Sequence, residues 1–200
     1  AGQPQERSLD FLSKLNARHL QKHAGDHELQ GRIASYALAA RMQGAAREAL
    51  DLSQESKATQ QAYGLDNPAT QDFGTRCLLA RRLIERGVRF VQVFTRNQYW
   101  DHHNSIGKSL PASCQTVDQP SAALVADLKA RGLLDTTIVH WGGEMGRLPV
   151  IQNPGGNKDR IGRDHNTYGF SMWVAGGGIK GGYTHGATDE FGHKAAIDVV

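Results

Sequence analysis

Cysteine is scarce in this sequence: Cys77 and Cys114 are the only two in 200 residues. They form neither a zinc knuckle nor a disulfide framework, and they leave the redox compartment open. No stretch approaches the ~20 continuous apolar residues of a membrane span. The opening residues AGQPQERSLD lack the apolar centre of a signal peptide, so any export signal belongs outside this chain. Aromatic residues make up only 7%, and few of them stand near basic clusters. The basic residues are not gathered into a stripe either. Lys and Arg alternate with acids in RRLIERGVR and DLKARGLLD, and the formal net charge is a mild +3. A nucleic-acid platform is therefore not expected. A phosphate cradle is missing as well: GGGIKGG follows a strand-like run, opens no helix and has no GK[ST], so it reads as a tight turn.

The remaining composition, 39% hydrophobic and 22% charged, is that of a globular chain long enough for one domain or part of a larger one. Its character changes midway. Residues 8–63 read as helix, with Leu9, Leu12, Leu15 and Leu20 striping a first segment that Gly25 terminates. Asp26 caps a second, carrying Leu29, Ile33, Tyr36 and Ala40 on one face. His19, His23 and His27 recur every four residues on an exposed face and read as solvated side chains. Asn67-Pro68 punctuates the chain, dividing a helical segment, 1–68, from an α/β portion, 69–200. In the latter, ATQDFGTRCLLARRLIERG is an amphipathic helix stopped by Gly87, and VRFVQVFT (88–95) has the β-branched and aromatic content of a strand. VDQPSAALVADLKARG is a second helix stopped by Gly132, TTIVHW (136–141) a second strand, and YGFSMWVA (168–175) a third. Helix–strand–helix–strand with short connections predicts parallel strands joined by a right-handed crossover.

Ligands of open parallel sheets bind beyond the carboxyl ends of the strands. The first strand runs into RNQYWDHHNS, which brings Asp101, His102 and His103. The second runs into GGEMGR, which brings Glu144 and Arg147, and the loop after it carries GRDHN, with Arg163, Asp164 and His165. One Asp-His pair is usually no more than a capped turn. Two such sets at one sheet edge, with Glu144 between them in sequence, point to a divalent-metal site. Mixed carboxylate and imidazole donors favour Zn or Mn, and oxygen-rich donors suit Ca or Mg. Arg147 and Arg163 are candidate catalytic groups, since guanidinium matches tetrahedral oxyanions. His140, inside the second strand, reads as a core or cross-strand residue, and nothing specific marks His185 or His193.

The blocks LNARHL, GDHELQGRIASYALAARMQ, FGTRCLLARRLIERGVRFVQV, WDHH, DLKARGLLDTTIVHWGGEMGR, GRDHN and WVAGGGIKGGYTHGATDEFG together resemble the bacterial family called domain of unknown function 1501 (DUF1501). That family is similar to the alkaline phosphatase and sulfatase superfamily. The resemblance implies an alkaline-phosphatase-like α/β fold, a mostly parallel sheet flanked by helices, with a one- or two-metal centre. It implies Asp101, His103 and His165 as ligands of one metal and sets Glu144 and Met145 where a second metal's pair usually stands. His102 replaces a frequent Thr, so either His102 or His103 is the ligating imidazole; Met145 cannot ligate in a hard N/O site, and Leu148 stands where a Thr often follows Gly-Arg. Residues 1–68 offer no strand followed by a nucleophile, so the chain reads as an excerpt of a larger domain. Family members often carry a twin-arginine signal, which implies periplasmic or otherwise exported localisation.

The expected function is a metal-dependent hydrolase of phosphate or sulfate esters acting on a small-molecule or glycan ester. Its alternative is a non-catalytic, metal-stabilised structural or carbohydrate-binding surface protein. The oligomeric state is not legible. One geometric demand follows: His165 precedes its strand, whereas Asp101 and Glu144 follow theirs. Either YGFSMWVA runs antiparallel to TTIVHW, or GRDHN folds back over that strand's carboxyl end.

Overall fold

Apolar residues spaced three and four apart, closed by glycine, make most of this chain helical. The computed structural model describes the backbone of residues 3–197 and the side chains of residues 7–40, 48–153 and 155–197. It divides into two units, residues 1–52 and 53–200. In the first, α1 (Gln3–Lys22) and α2 (His27–Leu50) pack on each other. Asp26 caps α2 by accepting the Leu29 N–H at 2.9 Å, which satisfies one of the helix's orphan amides.

The second unit begins with α3 (Lys57–Ala62), α4 (Gln71–Glu85) and α5 (Ile106–Ala130). Tyr63, Phe73, Cys77, Leu78, Val117 and Leu128 are buried here, so the core is formed chiefly by α4 against α5. Gly87, at φ +82°, ends α4. Its N–H bonds the Ile84 carbonyl at 2.9 Å and the Val88 N–H bonds Leu83 at 3.1 Å. The helix α5 starts well before Val117 and runs through Pro111 and Pro120. Each proline lacks a helical N–H, yet the helix, packed on α4, continues through both. The helix also takes in Cys114.

A buried ion network fastens these helices. Arg81, only 1% exposed, lies 2.6 Å from Glu55, 2.5 Å from Glu85 and 2.9 Å from Asp127. Arg82 pairs with Glu55, Arg131 reaches both Glu85 and Asp127, and the Tyr63 hydroxyl donates to Asp127 at 3.1 Å.

The mostly parallel, alkaline-phosphatase-like sheet is not formed. Every ladder among the described residues is antiparallel and two-stranded. The pairs are β1 (Ile138–Trp141) with β4 (Trp173–Gly176), β2 (Gly146–Arg147) with β3 (His165–Asn166), and β5 (Ala187–Thr188) with β6 (Ala195–Ile197). The parallel expectation needed residues 88–95 as a strand beside β1. That segment keeps strand periodicity, with Val91, Val93 and Thr95 half-buried and Phe90, Gln92 and Phe94 exposed, but it has no ladder. Strand propensity describes a surface that fits a sheet and does not supply the partner. One of its carbonyls, that of Phe94, accepts instead from the Arg76 side chain at 2.7 Å. The direction of YGFSMWVA is antiparallel to TTIVHW, with Trp141 opposite Trp173. No helix among the described residues is long and apolar enough to cross a membrane.

Candidate metal centre

The WDHH segment lies between two non-glycine residues in the left-handed region, Gln98 and Ser105, both at φ 52°. The helix α5 holds its start. Thr116 is hydrogen-bonded to the Tyr99 hydroxyl at 2.7 Å, and the Ser113 hydroxyl donates to the Tyr99 carbonyl at 3.2 Å. Trp100 sets its ring edge-on to Trp141, centroids 6.3 Å apart, which ties the segment to β1.

The GRDHN segment is stitched to WDHH backbone to backbone. The Arg163 N–H donates to the His102 carbonyl at 3.0 Å, and the Ile106 N–H to the Ile161 carbonyl at 2.9 Å. Gly162 makes that approach possible, because a Cβ there would lie 2.1 Å from the carbonyl of His103. On its other side GRDHN pairs with β2, placing His165 directly opposite Arg147. In an antiparallel pair directly opposed residues share a face, so both side chains lie on one side of the ribbon.

Asp101, His103 and His165 converge. Each offers one ligand atom, and the three atoms lie within 4.8 Å of one another. The Asp101 Oδ1 stands 2.8 Å from the His165 Nε2 and 3.1 Å from the His103 Nε2, and the two rings are 4.9 Å apart. Tetrahedral ligands held ~2.0–2.1 Å from zinc stand about 3.3 Å from each other; the two Asp101–imidazole separations, 2.8 and 3.1 Å, lie near that value, and all three ligand atoms fall within 4.8 Å. The hydrogen bond from His165 holds the Asp101 carboxyl below the usual carboxylate range, and the nearby His103, His165 and Arg147 add to this against partial burial. The carboxylate is thus in its ligating form.

The other sequence candidates take different places. His102 points elsewhere than His103: its Nε2 is buried without a hydrogen-bond partner, and burial together with the Arg147 guanidinium holds its pKa below the ordinary imidazole range. Asp164 accepts the His165 N–H at 2.8 Å and lies 3.7 Å from the His103 Nδ1, beside the cluster and outside it. Glu144 is 69% exposed, and its carboxylate reaches only the Arg147 Nη2, at 3.7 Å. Arg147 donates to the Gly146 carbonyl at 3.1 Å and the Trp100 carbonyl at 3.3 Å; its Nη2 stands 3.7 Å from Asp101, and its Nε has no partner. Arg163 is exposed. His140 sits across from Val174 with its Nε2 3.2 Å from the Met172 sulfur. The His19 and His23 rings lie 4.4 Å apart, tilted by 48°, but among the described residues the metal-competent group is Asp101, His103 and His165. Gln152 was not anticipated: its side-chain oxygen lies 2.8 Å from the His103 Nδ1, across 49 residues of sequence, and no motif marks it.

Over residues 2–200 the chain matches the family described as protein of unknown function (DUF1501), and it belongs to that family. Neither the curated proteins nor the solved structures contain a match to it.

Proposed function

We propose that Asp101, His103 and His165 hold one divalent ion, zinc or manganese ahead of calcium or magnesium, and that the chain serves a metal-dependent hydrolase of phosphate or sulfate esters. The observation that carries this reading is the convergence of one carboxylate oxygen and two imidazole nitrogens within 4.8 Å from two segments over sixty residues apart. An ion bound there supplies Lewis-acid polarisation of an ester oxygen. Arg147 fits the complementary task. Its Nη2 lies 3.7 Å from Asp101, beside the cluster, and a guanidinium there matches the oxygens of a tetrahedral anion. Glu144 orients Arg147 from the solvent side, and the exposed Arg163 adds positive charge for the approach of an anionic small-molecule or glycan ester. Export from the cytoplasm is part of the same reading and rests on the family resemblance alone.

One observation favours the second reading, a metal-stabilised structural or carbohydrate-binding surface protein. Asp101, His103 and His165 are 20%, 37% and 41% exposed in their side chains. Enzyme sites are usually concave, and two clefts of the second unit, one beside Phe73 and Tyr99 and one beside Leu148 and Phe191, include none of the three. The deciding experiment measures bound metal by plasma mass spectrometry and turnover of aryl phosphate and aryl sulfate esters with zinc or manganese. Metal-dependent turnover that vanishes in His165→Ala supports the hydrolase. Bound metal that raises the melting temperature without turnover supports the second reading, and absence of metal from the folded chain removes both.

A further inference from the structure

The His103 ring has two flanks with different surroundings. Its Nε2 faces Asp101 at 3.1 Å, while its Nδ1 stands 2.8 Å from the Gln152 Oε1 and 3.7 Å from an Asp164 carboxylate oxygen. A neutral imidazole carries a single N–H. The ionised Asp101 is an acceptor at Nε2 as well, so the metal-free ring has oxygen acceptors on both flanks. An ion bound through Nε2 leaves the single N–H on Nδ1, where Gln152 and Asp164 stand to accept it. Rotating the Gln152 amide to present its NH2 instead would demand a lone pair on Nδ1, and that lone pair would face the Asp164 carboxylate.

We propose that Gln152 is a positioning residue that accepts the Nδ1–H of His103 and so holds its Nε2 toward the ion. This rests on the reading of Asp101, His103 and His165 as an ion site. Ligating histidines characteristically donate their second ring N–H to a fixed acceptor, and loss of that acceptor weakens metal affinity roughly 10–100-fold. Gln152 is well placed to be such a fixed acceptor. Its backbone exchanges both hydrogen bonds with Gly162, at 2.9 and 2.8 Å, and Gly162 is the residue packed on the His103 carbonyl. One bridge therefore holds the main chain of His103 and the orientation of its ring.

The test titrates the whole chain with zinc alone by calorimetry and follows the His103 Nδ1–H of the zinc-loaded chain by 15N NMR. In Gln152→Leu, similar in bulk but without an acceptor, zinc affinity is expected to fall roughly 10–100-fold and the Nδ1–H resonance to lose its hydrogen-bonded shift and its protection from solvent exchange. Gln152→Glu, which keeps the acceptor, is expected to restore that resonance and most of the affinity. Should the leucine variant fail to fold, Gln152→Asn, which withdraws the amide by one methylene, is read in the same way. A folded variant without the acceptor that keeps both native affinity and the native Nδ1–H resonance overturns the proposal. A native chain that binds no zinc overturns the ion site and this role with it, whereas a leucine variant that binds zinc as tightly as the native chain overturns the role of Gln152 alone.

Discussion

His102 and His103 are adjacent in sequence and face different surroundings. The His103 ring joins Asp101 and His165, whereas the Nε2 of His102 is buried with no partner, and burial and Arg147 favour its neutral form. Replacing each with alanine separates them. His103→Ala should abolish zinc retention, and His102→Ala should leave one equivalent bound, as measured by plasma mass spectrometry after dialysis. Retention in both, or loss in both, would contradict the geometry. The two cysteines give a second contrast. Burial pushes the Cys77 thiol up to about 12, which suppresses the reactive thiolate, whereas Cys114 is only half-buried. A disulfide reagent should therefore titrate Cys114 alone in the folded chain and both thiols in denaturant. At this scale much was legible. Asp101, His103 and His165 are residue types with metal chemistry, and their motifs announce them. Gln152 has no such chemistry, and only the fold brings it to His103.

The element that makes the site is small: two residues of β2 paired with two of β3, continued by the Gln152–Gly162 bridge. Such a ribbon carries almost no hydrophobic pattern, so nothing in the sequence marks it, whereas the β-branched and aromatic content of 88–95 suggests a strand that is not formed. Alternate side chains of that segment do turn inward, but pairing is a long-range property that no local pattern contains. The antiparallel course of β4 is one of the two geometries, beside a GRDHN loop folded back over β1, that the sequence allows for a His before one strand and an Asp after another. The stitching predicts a sharp sensitivity at Gly162. Alanine there would set its Cβ 2.1 Å from the His103 carbonyl. Separating the two segments should cost about 1–3 kcal/mol and weaken zinc binding by at least about tenfold, as read by thermal unfolding and calorimetry. Gly107→Ala is the control, since nothing lies within 4 Å of its Cβ. Equal zinc affinity in the two variants would show that the stitch does not shape the site.

For the second unit as a whole, the helices are joined by charge as much as by apolar contact. The core residues come mainly from α4 and α5, and between them Arg81 is enclosed by Glu55, Glu85 and Asp127. A buried ion pair is weak evidence for net stability, but removing one partner strands the other and costs about 3–5 kcal/mol. Glu55, 8% exposed, bonds both Arg81 and Arg82, so Glu55→Gln should destabilise at neutral pH by about 3 kcal/mol, the lower end of that range because Glu85 and Asp127 still face Arg81. The pH dependence distinguishes this ionic contribution from simple loss of packing. Burial pushes the Glu55 carboxyl up, but the hydrogen bonds and charges of Arg81 and Arg82 outweigh it, and the net pKa lies below the ordinary glutamate value. A carboxyl depressed in the folded state contributes stability that is fully present above its unfolded pKa, ~4.3 for glutamate, and lost as pH falls through the lower folded value. The difference in unfolding free energy between the native chain and Glu55→Gln should therefore hold constant from about pH 7 to 5 and shrink below about 4.3, as Glu55 becomes neutral in both states. Denaturant melts of the two proteins across that range measure it directly. A difference that stays constant into strong acid would mean that Glu55 contributes through shape rather than charge.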